Sequence, residues 1–220
     1  MRIQSVWNSS KIKMNGKLSS KFLLFGGIGS FCLCLYLFYL FYPRISPPLT
    51  LSQRLLDNIP KLEVGDVVFR KGTGMESFVI EKLSNHHYTH IGLVISTQPI
   101  IILHASADDN PKKPNRVILS SFDEFLSHAQ NIAIKRYPLS EKMRETILLE
   151  APLWLDREFI LSTDSNALYC TTLLESILSS HITLNAQYEE IDFPAFQGKY
   201  LFPKAFYEDS ESVLVYESRY

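Results

Sequence analysis

Cysteine is nearly absent from this chain, three in 220 residues, and two of them, Cys32 and Cys34, fall inside one apolar run. That excludes a disulfide framework and leaves Cys170 alone in the rest of the chain, with no neighbour to pair with. An excess of either charge is missing too: 22 basic residues stand against 23 acidic ones, for a formal net charge of −1. No basic face therefore advertises nucleic acid. The signature of disorder, few aromatics with high net charge, is absent as well. A hydrophobic content of 46% and an aromatic content of 12% suffice for a real core. Neither internal repeats nor low-complexity tracts are present.

What the chain does have is unevenly placed. Arg2, Lys11, Lys13, Lys17 and Lys21 give residues 1–21 a basic character with no acid, so the remainder is acidic in balance. Phe22 to Tyr42 then carries no charge and only Ser30 as a conventional polar side chain. At about 1.5 Å per residue this run reaches roughly 30 Å, the thickness of a bilayer's hydrocarbon core. Tyr36, Tyr39 and Tyr42 cluster at its far end, before Pro43 and Arg44. The spacing predicts an uncleaved transmembrane anchor, with the N-terminus cytoplasmic and residues 43–220 on the outer side. A cleaved signal peptide is the alternative, but no small-x-small site follows Tyr42. Bulky Phe31 and Leu33 precede the two cysteines. The expected organisation is a basic segment over 1–21, an anchor over 22–42, a linker over 43–61 and a folded domain over 62–220.

Within that domain, strands are expected near Val67–Arg70, Tyr88–Ile95, Ile100–Ala105, Val117–Leu119, Ile132–Tyr137 and Ser212–Tyr216. Helices are expected over Met75–Leu83, Phe122–His128, Ser140–Trp154 and Leu168–Ser180, the last capped by Asp164, Ser165 or Asn166. Residues from Gln187 onward read as mostly irregular. Strands and helices in separate runs predict an α+β domain with an antiparallel sheet.

One hairpin carries candidate chemistry. A turn centred between Thr97 and Gln98 brings His90 and His104 nearly opposite each other on adjacent strands, with their side chains roughly 5 Å apart. Cys170 falls in the first turn of the helix expected over 168–180, where unpaired amides favour a thiolate. His90 then reads as base, His104 as its orienting partner and Cys170 as nucleophile. The bland readings are a packed cysteine and satisfied strand histidines. His86 and His87 beside His90 raise the alternative of a zinc site, against which stands the lack of a second cluster. His128 and His181 read as surface residues. Asp66 reads as a turn cap or as a shaper of the cleft. Tyr169 supports the nucleophile or simply packs. The polar loop Asp108–Asn115 either borders the cleft or only connects.

The stretches Gly65-Asp66-Val67-Val68-Phe69-Arg70, Tyr88-Thr89-His90-Ile91-Gly92-Leu93-Val94, Ile102-Leu103-His104-Ala105 and Leu168-Tyr169-Cys170-Thr171, in that order, resemble the YiiX-like proteins. These form the circularly permuted branch of the NlpC/P60 papain-like superfamily. The resemblance covers nearly all of 62–220 and implies a permuted papain-like fold with Cys170, His90 and His104 as the catalytic set. Two departures stand out. Thr172 replaces a common Glu, and Asp156-Arg157-Glu158-Phe159-Ile160 lacks the usual glycine and terminal aspartate. Together with the anchor, the resemblance implies a membrane-anchored cysteine hydrolase of the cell envelope, cleaving a cell-wall type peptide amide through a Cys170 thioester. A thiol acyltransferase or esterase acting on a lipid ester is the alternative, and a non-catalytic envelope binding module is another. The expected partners are that substrate and the membrane; no cofactor or metal is expected.

Overall fold

The structure is a computed structural model and describes residues 59–107, 109–110, 112, 114–193 and 196–218. All of these belong to one compact unit, Leu49–Tyr220. The basic segment 1–21, the run 22–42 and nearly all of the linker lie outside the described residues.

The chain is built on alternation. In β1 (Val67–Gly72) and β2 (His90–Thr97), successive side chains point to opposite faces of an antiparallel sheet. β3 (Ile100–Ser106), β4 (Arg116–Ser121), β5 (Ala129–Arg136) and β8 (Val213–Glu217) complete it, in the order β4-β3-β2-β1-β5-β8. A separate hairpin pairs β6 (Glu189–Phe193) with β7 (Phe196–Tyr200).

Both faces of the large sheet are covered. Val67, Phe69, Ile91, Leu93, Leu103 and Ala105 face a cluster completed by Leu173, Leu174, Ile177 and Leu178. These four come from α4 (Cys170–Leu178), whose seven buried residues leave only Glu175 and Ser176 outward. The opposite face presents Val68, Val94, Ile102, Ile132 and Ile134 to Phe122, Phe125 and Leu126 of α2 (Phe122–Ser127). Burying each such side chain contributes about 1.5–3 kcal/mol.

Local signals set the helix ends. α1 (Met75–Ser84) stops at Asn85, which adopts the left-handed conformation that asparagine tolerates. α2 opens on a reciprocal box, Ser121 Oγ accepting from Glu124 N and Glu124 Oε2 accepting from Ser121 N. α3 (Glu141–Glu150) begins after Ser140 and passes into a 3-10 turn over Ala151–Trp154, with Pro152 near the junction. α5 (Pro203–Glu208) precedes β8. At its outer edge, β8 is tied to β5 by Ile132 N donating to Ser218 Oγ. Lys135 Nζ on β5 also donates to the Tyr207 and Asp209 carbonyls at 2.5 and 2.8 Å.

Two expectations are corrected here. The sheet is open, with β4 and β8 as its outer strands, and is not the circularly permuted papain-like arrangement. Short motifs dictate which residues sit on strands, not how the sheet closes. Among the described residues, no helix is long and apolar enough to cross a membrane. The longest have 10 residues, about 15 Å, or half a hydrocarbon core. The membrane partner and the single-pass topology with an outer catalytic domain are therefore unsupported. Both rested on the run 22–42, which lies outside the described residues.

Candidate metal centre

Four neighbouring strands each place one polar side chain in a row on the face covered by Phe125. Arg70 on β1 stands directly opposite His90 on β2. β2 and β3 pair Leu93 with Leu103 and Val94 with Ile102, a register that sets His104 across from Gly92, with His90 two places along on the same face. The turn is centred one residue later than expected, with Thr97 opposite Ile100, and an irregularity between Val94 and Ser96 recovers only part of that shift, so the two imidazoles meet diagonally. They still touch, His90 Nε2 lying 3.0 Å from His104 Nδ1. Gly92 leaves room at this crossing, since a Cβ there would clash with Ile102 Cγ2 at 2.4 Å and crowd His104 Cβ at 3.2 Å. On β4, Ser120 Oγ lies 3.0 Å from His104 Nε2 and fixes the far side of the ring.

The loop after β3 adds an acid. Asp109 N donates to Ser106 Oγ, and the carboxylate Oδ2 lies 3.7 Å from His104 Nδ1. That oxygen also accepts from Arg70 Nη2 at 2.6 Å. Arg70 Nη1 donates to the Phe125 carbonyl, and its guanidinium stacks 4.6 Å from the Phe125 ring centroid. The same ring packs against both imidazoles, with centroids 5.7 and 5.1 Å away.

Protonation follows from burial. Desolvation, then the Arg70 charge, lowers His104 to about 3, with Asp109 pulling weakly the other way. Burial and Arg70 likewise hold His90 well below the ordinary histidine value. Burial favours the neutral acid at Asp109, but electrostatic interaction with His90, Arg70 and His104, and the hydrogen bond from Arg70, outweigh it and keep the carboxyl below its usual range. With both imidazoles neutral, the Arg70 guanidinium is the cation that persists at neutral pH.

Neutral imidazoles and an ionised carboxylate are the forms in which these side chains bind metals. One ligand atom from each of His90, His104 and Asp109 lies within 4.8 Å of the others. Bonds of about 2.0–2.1 Å in a tetrahedral site put donor atoms roughly 3.3 Å apart. Two of the three donor separations, 3.0 Å between the imidazoles and 3.7 Å from His104 to Asp109, bracket that spacing, and the third is no longer than 4.8 Å. Ser120 supplies the outer partner that orients a ligating imidazole. The three residues fit a divalent transition ion.

His90, Asp109 and Arg70 open onto a cavity of about 240 Å³ whose wall is mostly apolar, with Val79, Ile80, Leu83, Phe159, Leu161 and Phe196 among its lining. Cys170 and Tyr169 also line it. Tyr169 Oη accepts from Leu201 N, and burial pushes its hydroxyl up to about 12. Thr172 Oγ1 accepts from Tyr169 N, so the residue standing where Glu is common still caps the start of α4. Tyr169, not Asp164, Ser165 or Asn166, is the residue at that cap.

The thiol does not form the expected catalytic pair. α4 packs on the sheet face of Ile91 and Leu93, whereas His90 and His104 belong to the other face with Phe125. Cys170 is buried, and that desolvation raises its thiol to about 11 despite the nearby Ile91 and Thr171 amides. His90 Nε2 is engaged by His104, and no thiol–imidazole hydrogen bond occurs among the described residues. The Cys170–His90–His104 hydrolase reading, with its thioester, its peptide amide or lipid ester substrate and its acyltransferase alternative, is corrected accordingly. So is the assignment to the papain-like thiol enzymes. The polar grouping is His–His–Asp, and the cysteine is a cavity wall.

Asp66 lies elsewhere. Fully buried, it accepts from Glu63 N at its turn and from Arg136 Nε and Nη2, and it does not touch the cavity. His86 and His87 stack on each other and on the Tyr88 and Tyr207 rings, apart from the three ligand candidates. Sequence reasoning missed Asp109, Arg70 and Ser120. Asp109 sits in the polar loop that borders the site, and Arg70 is a charge ending a run of apolar strand residues.

No family model matches the chain, and no curated protein matches it. Among solved structures, the fold is similar to one described as the metalloprotein yiiX from Escherichia coli O157:H7, DUF1105. The TM-score is 0.61 at 14% identity, over 72% of this chain and 99% of that one. A likeness at that identity is one of fold.

Proposed function

We propose that this is a metal-binding protein holding one divalent first-row transition ion through His90, His104 and Asp109. The observation that carries the reading is three ligand-form donors within 4.8 Å of one another on a rigid sheet and its adjoining loop. Imidazole suits zinc, copper, iron and nickel, and a two-histidine, one-carboxylate set leaves coordination positions open. The fold likeness to a protein described as a metalloprotein supports the same reading. When bound, such an ion supplies a Lewis acid at the polar end of the cavity. The chain's own residues hold the site ready: Ser120 orients His104, Arg70 anchors the Asp109 carboxylate, and Phe125 shields the set from bulk water.

The test is loading of the full-length protein with Zn²⁺ or Co²⁺ in competition with a chromophoric chelator, beside His90→Ala and Asp109→Asn. Wild type is expected to take up one ion per chain, and each variant, having lost a ligand, to bind more weakly by more than the about 10–100-fold that loss of an outer partner costs. Failure to retain stoichiometric metal, or equal retention by wild type and both variants, would overturn the reading.

A further inference from the structure

The cavity beside the His–His–Asp group has a long apolar wall to which the metal centre gives no task. One side is a stripe of α1, where Val79, Ile80 and Leu83 follow at i, i+1 and i+4. Facing contributions come from Phe159 and Leu161, ahead of α4, and from Phe196 and Tyr200 on β7. Lining residues on α1 run from Glu76 to Leu83, two turns of helix or about 10 Å, so the space is elongated.

The polar groups in this wall are occupied. Thr89 Oγ1 accepts from Gly72 N, Ser106 Oγ accepts from Asp109 N, and Thr171 Oγ1 donates to the Leu201 carbonyl. Arg70 and Asp109 are paired with each other at 2.6 Å, and Glu76 is exposed at the start of α1. Among the described residues, then, no unpaired cation lines the space, and one of its charged groups is an acid. An anionic head group would be desolvated here without a partner. Water gains little from such a wall either, and apolar cavities of this kind take apolar guests.

Exposure on the same elements supplies a second observation. Leu161 lines the cavity and is still 51% exposed, which puts it at the mouth. Met75 and Phe78 on α1, and Phe193 on β6 opposite Phe196, are more than half exposed as well. Large apolar side chains left in water on the elements that build a cavity mark a place of binding.

We infer that the cavity binds one neutral molecule bearing an unbranched alkyl chain, held by its hydrocarbon and not by a charged head group. Size follows from volume. A cavity of about 150 Å³ takes benzene, so about 240 Å³ takes a chain of about ten carbons. The residues that carry this inference are none of the three proposed metal ligands, so it stands or falls apart from the metal reading.

The experiment is calorimetric titration of full-length protein, with no metal added, by 1-butanol, 1-hexanol, 1-octanol, 1-decanol and 1-tetradecanol, with octanoate beside octanol. Saturable binding of one alcohol per chain is expected, tightening about fourfold with each added methylene and levelling off near decanol. Octanoate should bind about tenfold or more weakly than octanol. Ile80→Trp, which fills the space, should abolish the saturable binding. The alcohol series on wild type needs no variant, so misfolding of Ile80→Trp does not blunt the test. Uptake that never saturates, or affinity that climbs undiminished to tetradecanol, would mean partition onto apolar surface and overturns the inference. Octanoate binding as tightly as octanol overturns it too, by showing that the site accepts an anion.

Discussion

Gly92 and His104 face each other across the central strand pair, and the space a side chain on the first would take is filled by Ile102 Cγ2, with His104 Cβ and a Phe125 ring carbon beside it. A Cβ on Gly92 would lie 2.4 Å from Ile102 Cγ2 and 3.2 Å from His104 Cβ. Gly92→Ala is expected to cost about 1–3 kcal/mol by overpacking. It should also weaken metal binding, because Ile102 must give way and the adjoining His104 and Phe125, each 3.2 Å from the new Cβ, are crowded with it. Urea unfolding and chelator competition on the same sample check both effects. An unchanged metal affinity would show that the diagonal contact is not set by this glycine.

Ser120 holds the back of His104 at 3.0 Å. Ser120→Ala leaves the buried His104 Nε2 without its partner, so the fold should lose about 1–3 kcal/mol. Metal affinity should fall as well, by about 10–100-fold, because the ring is no longer held in one orientation. Loss of stability without loss of affinity would reduce Ser120 to a packing residue.

Cys170 should behave as a protected thiol. Burial raises it to about 11, so at pH 8 its thiolate fraction is roughly 100-fold below that of an ordinary cysteine. Iodoacetamide labelling of the native protein is expected to be slow at pH 7–8 and to climb only above pH 9. Cys170→Ala should leave Zn²⁺ affinity unchanged. Rapid labelling near neutrality would restore an activated thiol.

The buried histidines make the metal-free fold acid-sensitive. His104 is held at about 3, below the ordinary 6.5. In the interval between, the unfolded chain takes up a proton that the folded one refuses. The stability is therefore complete above pH 6.5 and is lost as pH falls toward 3. Between pH 7 and pH 5 the loss is about 2 kcal/mol from His104 alone. Denaturant unfolding at the two values measures it. A flat profile would mean that His104 is charged in the folded state.

The parts of the fold that were legible in the sequence were those written in local chemistry. The α1 expectation over Met75–Leu83 differs from the observed Met75–Ser84 by one residue, because Asn85 marks its end. Alternating apolar runs located β1 to β5. The hairpin β6–β7 was missed, since Glu189–Phe193 and Phe196–Tyr200 are half-exposed strands whose mixed composition carries no period. α5 was missed because six residues after Phe202 are too few for a helical pattern. His90 and His104 were found through the hairpin. Asp109 could not be placed, because a loop residue's position depends on the ion pair it makes with Arg70, 39 residues earlier in the chain. The role given to Cys170 failed for a related reason. Sequence places it at a helix start, but only packing says which face of the sheet that helix covers.

Strand β5 closes onto β8 through Ile132 and Ser218, 86 residues apart. On a ribosome adding about 5–20 residues per second, roughly 4–17 s pass between the appearance of one partner and the other. Throughout that interval Ala133, Ile134 and Lys135 are the unpaired rim of a growing sheet, open to any extended segment that reaches them first. A pause in synthesis between β5 and β8 therefore lengthens the time in which this rim can pair with the wrong strand.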